Sequence, residues 1–305
     1  MNILLTGANG YIGQRLIQLL LQEDHIIYCC VRNKERFDAE YRHPKIRIIE
    51  IDFLNPGTVQ LPVELDVAFY LIHSLTSAAG TFEAEEQTCA ENFNQLIRQT
   101  NTQQIIYLGG IVNAEHLSQH LSSRLHVEHI LKATNIPLTI LRAGIIVGSG
   151  SASFEIIRDL TEKLPVMITP QWLNTKCQPI AVRNVLQYLM GVMLKASTYN
   201  HDFDIGGREV LSYKQMILQF AEVRGLKRYI YTLPVMTPRI SSYWLYFLTS
   251  TSYPLAVNLV NSMKVDVICR PNNLEKELHI QPFTYKEAVA LAFEKIEQNM
   301  VVSSW

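Results

Sequence analysis

The sequence predicts an α/β protein: a doubly wound parallel sheet followed by a small C-terminal substrate lobe. Two observations carry this. As far as Gly150, short apolar runs alternate with amphipathic stretches long enough for helices, which implies parallel strands covered on both faces. After Gly150 the texture changes to small-residue loops and aromatic-rich helical patterns. The chain has 305 residues, 48% hydrophobic and 18% charged, enough to bury a sizeable core and too apolar for a disordered chain.

In chain order, residues 3–5 read as a strand, 11–22 as a helix and 26–31 as a second strand. Residues 46–51, 67–72, 105–108 and 139–145 read as further strands, with helices at 84–99 and 122–133 between them. Residues 1–150 therefore form the expected first domain and 151–305 a smaller lobe packed discontinuously on it. In that lobe residues 149–153 are a small-residue loop, and 154–162, 182–195 and 213–224 have helical patterns. Residues 203–207 read as a strand and turn, and 288–298 as a closing surface helix. Residues 240–263 are aromatic and nearly free of charge, with Tyr243, Trp244, Tyr246, Phe247 and Tyr253. Pro254 and the polar run 249–252 interrupt them below the ~20 apolar residues a membrane span needs. They read as a buried or pocket-lining helical pair, with membrane contact as the alternative.

A formal net charge of −1 gives no electrostatic case for a nucleic-acid or anionic-membrane partner. Cys29, Cys30, Cys89, Cys177 and Cys269 form no CxxC pair and no metal-ligand spacing, so they read as reduced core thiols. The histidines His73, His116, His126 and His129 show no metal pattern with carboxylates, and no metal site is expected. Met1-Asn2 leads directly into a strand pattern without a basic region before it, so the expected location is cytoplasmic.

The sharpest signal is local. Gly7, Gly10 and Gly13 stand three residues apart between a strand and a helix, within Thr6-Gly7-Ala8-Asn9-Gly10-Tyr11-Ile12-Gly13. Gly7 permits the tight turn, Gly10 lets the backbone approach a pyrophosphate, and Gly13 allows close helix–sheet packing. Phosphates then sit at the helix N-terminus, where unpaired N–H groups and the dipole favour negative charge. The pattern is that of a Rossmann-type dinucleotide site, formed by Gly7, Asn9, Gly10, Tyr11, Ile12 and Gly13. The second strand ends in Arg32-Asn33 rather than Asp or Glu, with Arg36 one turn on. A guanidinium suits a 2′-phosphate, so NADP is preferred over NAD; the plain alternative is a solvated surface arginine.

With these residues the chain resembles the short-chain dehydrogenase/reductase superfamily, in its extended and atypical NAD(P)H-binding branch, which includes epimerase-like and NmrA-like proteins. The resemblance extends to residues 51–53, 70–74, 108–110, 141–144 and 203–207. It implies Asp52 and Phe53 beside the adenine, Leu71 to Ser74 (Leu71 and His73 above all) along the ribose, and Ala143 and Gly144 toward the nicotinamide, with Gly109 and Arg124 also at the cofactor. Active members carry a Tyr and a Lys at i, i+4 and a Ser or Thr at the end of the fifth strand. This sequence departs from that set. Alignment on Ser123 and Glu128 puts His120 at the tyrosine position and Arg124 at the lysine position, and the strand end reads Gly109-Gly110. Tyr107 lies within the strand, wrongly placed to substitute. His120 titrates in the range useful for acid–base work, whereas Arg124 can hold a ribose but not release a proton. Equally, His120 is a loop histidine and Arg124 a cofactor-binding residue with no proton transfer.

A small-molecule pocket is expected from Ser149 to Glu155, at residues 178–180 and from Tyr243 to Phe247, beyond the carboxyl ends of the strands. The aromatic segment could equally be core or a docking face for a protein partner. Two functions follow: an NADP(H)-dependent oxidoreductase or epimerase-like enzyme with altered catalytic residues, or a non-catalytic NADP(H)-binding redox sensor or structural subunit.

Overall fold

The computed structural model describes residues 1–37, 43–73, 82–112, 119–233 and 265–297. Seven parallel strands form the central sheet: β1 (Asn2–Leu5), β2 (Ile26–Val31), β3 (Ile46–Glu50), β4 (Val67–Tyr70), β5 (Gln104–Gly110), β6 (Leu138–Ala143) and β11 (His201–Ile205). Their spatial order is β11-β6-β5-β4-β1-β2-β3. The chain runs outward from β1 through β2 to β3, then crosses to β4 on the other side of β1, so the winding direction switches between β1 and β4.

Because successive side chains on a strand face opposite ways, each strand feeds two cores. Ile3, Leu5, Phe69 and Ile106 join one core with Leu16, Ile17 and Leu20 of helix α1 (Tyr11–Gln22) and Val185 and Leu189 of helix α5 (Val182–Gly191). Leu4, Tyr70, Ile105 and Tyr107 join the other, with Phe93 and Ile97 of α2 (Phe82–Ile97) and Val127 and Leu131 of α3 (Gln119–Lys132). The apolar runs of the sequence are this double burial.

A third core binds the second half together. Helices α4 (Ala152–Lys163), α6 (Tyr213–Val223) and α7 (Tyr285–Glu297) meet around Phe154, Phe220 and Phe293, whose ring centroids lie 5.5 to 5.7 Å apart. Three two-stranded ladders flank it: β7 (Ile146–Val147) with β10 (Ile180–Ala181), β9 (Lys176–Cys177) with β12 (Leu211–Ser212), and β8 (Val166–Pro170) with β13 (Tyr229–Leu233). Ser212 opens α6 with a capping box, its hydroxyl accepting from Gln215 N while Gln215 reaches back to Ser212 N. None of these short ladders was visible as a periodic pattern.

Past residue 150 the chain returns to the first sheet. α5 packs on the α1 face, and β11 completes the sheet beside β6, so residues 182–205 belong to the first body. The helices around 154–162 and 213–224 fall where expected, and the helical pattern at 288–298 begins earlier, at Tyr285. Among the described residues no helix is long and apolar enough to cross a membrane. Residues 240–263, with the expected Tyr243 to Phe247 pocket wall, lie outside the described residues, as do Ser74 and His116.

Candidate dinucleotide site

The site forms where β1 ends at the switch point. Thr6 is fully buried, and its Oγ1 donates to Phe69 O (3.1 Å) and accepts from Leu71 N (3.0 Å), tying the end of β1 to the end of β4. Gly7 follows at φ +64°, and a Cβ there would come within 2.5 Å of Leu71 O. Gly10 N closes the turn on Gly7 O at 2.9 Å. At Gly13 a Cβ would lie 2.3 Å from Gly7 O, so the first turn of α1 presses against the loop at a distance only glycine allows.

The helix start suits an anion. Gly10 is the N-cap and supplies no side-chain cap, and no acidic residue stands in the first turn. The first N–H groups of α1 have no partner within the helix and are turned to the loop, where Asn9 and Gly10 are exposed and Tyr11 and Ile12 half-buried. These residues fit the pyrophosphate of a dinucleotide. Arg15, one turn into α1, is buried. Its Nη1 donates to Tyr11 O (3.0 Å), its Nη2 donates to Ser149 O (2.8 Å), and its guanidinium carbon lies 3.8 Å from the centre of the Tyr11 ring. Burial pushes the Tyr11 phenol up to about 12, with Arg15 opposing.

At the end of β2, Arg32 and Arg36 are exposed, and among the described residues neither guanidinium has a hydrogen bond or ion pair. Asn33 caps the short turn Lys34–Arg36, its Oδ1 accepting from Glu35 N and Arg36 N at 2.9 and 3.2 Å. Asp52 is exposed at the end of β3 and accepts from Leu54 N at 3.0 Å. Phe53 turns inward, its ring 5.9 Å from that of Phe93. The Cys89 thiol, pushed up to about 12 by burial, feels the charges of Asp52, Glu85, Glu86 and Arg32, which places these groups around one corner of the sheet.

The strand ends on the other side carry the positions where acid–base residues were sought. Leu71 is buried with its backbone against Gly7, and His73 is half-buried, 6.4 Å from the Tyr107 ring. A Cβ at Gly109 would lie 2.9 Å from Tyr107 Cε1 and 3.4 Å from Glu128 Oε1, so glycine leaves room for the Tyr107 ring. Burial drives the Tyr107 phenol well above its ordinary range, opposed by Arg124 and Arg142 and reinforced by Glu86 and Glu128. Arg124 is half-buried, with Nε lacking a partner. Ser123 Oγ donates to Glu86 Oε2 (2.6 Å), joining α3 to α2. His120 stands in the first turn of α3, one turn before Arg124; its side chain lies outside the described residues.

Beyond β6 the chain builds the opposite wall. Ala143 is buried, and a Cβ at Gly144 would meet Val267 Cγ1 at 3.3 Å. Ser151 Oγ caps α4 by accepting from Phe154 N and donates to Ile146 O, and Gly150 N donates to Glu155 Oε1 at 2.8 Å. Gln178 spans the neighbouring loops, Nε2 donating to Gly207 O (2.8 Å) and Oε1 accepting from Cys269 N (3.1 Å). An ion network, buried at Arg142, Glu128 and Asp204 and open to water at Arg270, links β6, α3, β11 and the returning chain. Arg142 pairs with Glu128 and Asp202, and Arg270 pairs with Asp202 and Asp204.

Sequence reasoning found the loop but missed Thr6, Arg15 and this network. For Arg15 the signal was present: it is the one charged residue in α1, four positions after Tyr11.

Comparison with known proteins agrees with the geometry. The chain is similar in fold to triphenylmethane reductase of Citrobacter sp., with a TM-score of 0.74, 18% identity, and 96% of this chain and 100% of that one covered. It is also similar to a nucleoside-diphosphate-sugar epimerase of Staphylococcus aureus, with a TM-score of 0.73, 16% identity, and 95% and 99% covered. UDP-glucuronic acid 4-epimerase of Bacillus cereus, solved in complex with NAD, gives 0.72, 14% identity, and 98% and 99% covered. At these identities the likeness establishes the fold. Among curated protein sequences none matches the chain. A family profile described as NAD(P)H-binding matches residues 7–169, more than half of the sequence, from Gly7 of the loop through β2 to β6 and α4. The chain belongs to the NAD(P)H-binding family.

Proposed function

We propose that the protein binds NADP(H) in preference to NAD(H) and works as a reductase- or epimerase-like enzyme on a small molecule, with altered catalytic residues. One observation carries the cofactor preference: two exposed arginines, Arg32 and Arg36, stand at the end of β2, and among the described residues neither guanidinium is held in a hydrogen bond or ion pair. A 2′-phosphate there accepts charge-assisted bonds, whereas the plain ribose of NAD has no use for a guanidinium. When bound, the dinucleotide supplies hydride transfer at its nicotinamide. The chain's own residues hold its phosphates at Gly10, Tyr11 and Ile12 and admit the second molecule beside the loop from Ser149 to Glu155.

A second reading, a non-catalytic NADP(H) sensor or structural subunit, draws on the glycine at position 109 and the arginine at 124, since neither can pass a proton to or from a substrate. The segment from Tyr243 to Phe247 is then a docking face for a protein partner. The two readings separate by turnover: NADPH consumption with a panel of carbonyls, quinones and nucleotide sugars supports the enzyme, and redox-dependent assembly without turnover supports the sensor.

The cofactor assignment is tested by thermal unfolding with NADPH, NADP, NADH and NAD in turn. A ligand at about 100 times its dissociation constant stabilises the folded state by about 2.7 kcal/mol. A shift with the phosphorylated pair that exceeds the other is the expected result. No shift with any of the four overturns it.

A further inference from the structure

Arg15 is more than a packing residue. It is the one charged side chain of α1 and is only 6% exposed. Its two terminal nitrogens donate to neutral carbonyls, Tyr11 O and Ser149 O, and Nε is buried without a hydrogen-bond partner. None of the ion pairs among the described residues includes it. Glu155, in the wall after Ser149, is already engaged by Gly150 N at 2.8 Å and by Arg158 at 2.6 Å. A guanidinium withdrawn from water needs a compensating anion, and the turn just before it, where the helix dipole is positive, supplies none. Two positive sources thus converge on the turn Gly10-Tyr11-Ile12, with no negative side chain in the first turn to balance them.

We infer that Arg15 is a binding residue of the dinucleotide site. Its charge raises affinity for the ligand's diphosphate, and its bond to Ser149 O keeps the turn before α4 in place against the cofactor loop. This rests on the dinucleotide reading above and goes beyond it, since the glycine loop would hold phosphate through backbone N–H groups alone. Nη1 and Nη2 are committed to carbonyls, so Arg15 acts through its field and its support of the turn. Lysine therefore replaces the charge but not both bonds.

The test compares ADP with adenosine, which lacks the phosphates, by calorimetry for the first and ligand-observed NMR for the second. The proteins are the native chain, Arg15→Lys, Arg15→Met and Arg15→Gln, each at low and high salt. The neutral variants are expected to bind ADP about tenfold more weakly or worse, to bind adenosine within about twofold of the native chain, and to lose part of the salt dependence of ADP binding. Arg15→Lys recovers most of the ADP affinity. Equal losses for ADP and adenosine would reduce Arg15 to a scaffold and overturn the inference, as would undiminished ADP binding in a folded neutral variant. If neither neutral variant folds, Arg15→Lys decides: a folded lysine variant with an unchanged salt response supports the charge role, and one that loses it sinks it. A native chain that binds neither ADP nor NADPH removes the dinucleotide reading itself, an outcome distinct from the others.

Discussion

Arg142 on β6 grips Glu128 on α3 with a two-pronged ion pair, Nε to Oε1 at 2.8 Å and Nη2 to Oε2 at 2.6 Å, and the carboxylate side chain is 1% exposed. The pair fixes the helix that carries His120 and Arg124 to the strand that ends at Ala143. Stranding a buried charge costs about 3–5 kcal/mol, and Asp202, 2.5 Å from Arg142 Nη1, keeps the loss of Glu128 below that. Glu128→Gln is therefore expected to lower the urea midpoint with little change in the slope of the transition. Unfolding identical to the native chain's would show that the pair bears no such burden.

The loop glycines make a second case. Alanine at Gly7 must adopt φ +64° with its Cβ 2.5 Å from Leu71 O, so strain and clash add. Gly7→Ala should destabilise by roughly 1–3 kcal/mol or more and abolish dinucleotide binding. Gly57 is the control, since it has a similar φ of +59° and nothing within 4 Å of the added carbon. Gly57→Ala is expected to cost only backbone strain and to leave binding intact.

Cofactor choice is read from one side chain. Arg32→Ala should weaken NADPH about tenfold and leave NADH unchanged, because only the 2′-phosphate needs the guanidinium. Calorimetric titration of both ligands checks it. A parallel loss of both would mean that Arg32 supports the loop.

Acid stability has a defined contributor. Burial would raise the Asp202 carboxyl, but its bonds from Arg270 and Arg142 outweigh that and hold it below its ordinary value. A lowered folded-state value gives stability that is present above the unfolded value, near 4, and is lost as pH falls through the lower folded one. The native chain should lose stability on acidification below about pH 4, and Asp202→Asn should lose less over that interval. Thermal midpoints from pH 6 downward (at fixed ionic strength) would show it; parallel curves would refute it.

The first half of the fold was legible because its information is local. The glycine spacing between strand and helix, and apolar runs of strand length, each lie within a few residues, and α1 was read at its observed bounds. What escaped depends on distant partners. Val166 pairs with Tyr229 and Arg142 meets Asp202 and, through it, Arg270; no periodicity announces contacts of that range. The return of the chain to the first sheet escaped for the same reason, since the strand at 201–205 looks like any short strand until β6 is beside it. In the site, residue types suggested roles but not depth. Phe53 was expected at the adenine and turns into the core against Phe93, and Arg15 looked like an ordinary helix arginine.

The position of β11 has a consequence for the order in which the molecule can form. β6 is translated by residue 143, yet its outer neighbour is made only after residue 205, and Arg270 follows later still. A nascent chain that has just emerged through its first 150 residues therefore holds an open strand edge and an Arg142 whose partner Asp202 does not yet exist. Unpaired edges of that kind recruit other chains. Synthesis thus passes through a vulnerable interval of some 60 residues, about 3–12 seconds at ordinary elongation rates. A fragment cut at 150 would be caught in that interval permanently, whereas one extending through residue 207 would have covered β6 with the short, charged β11.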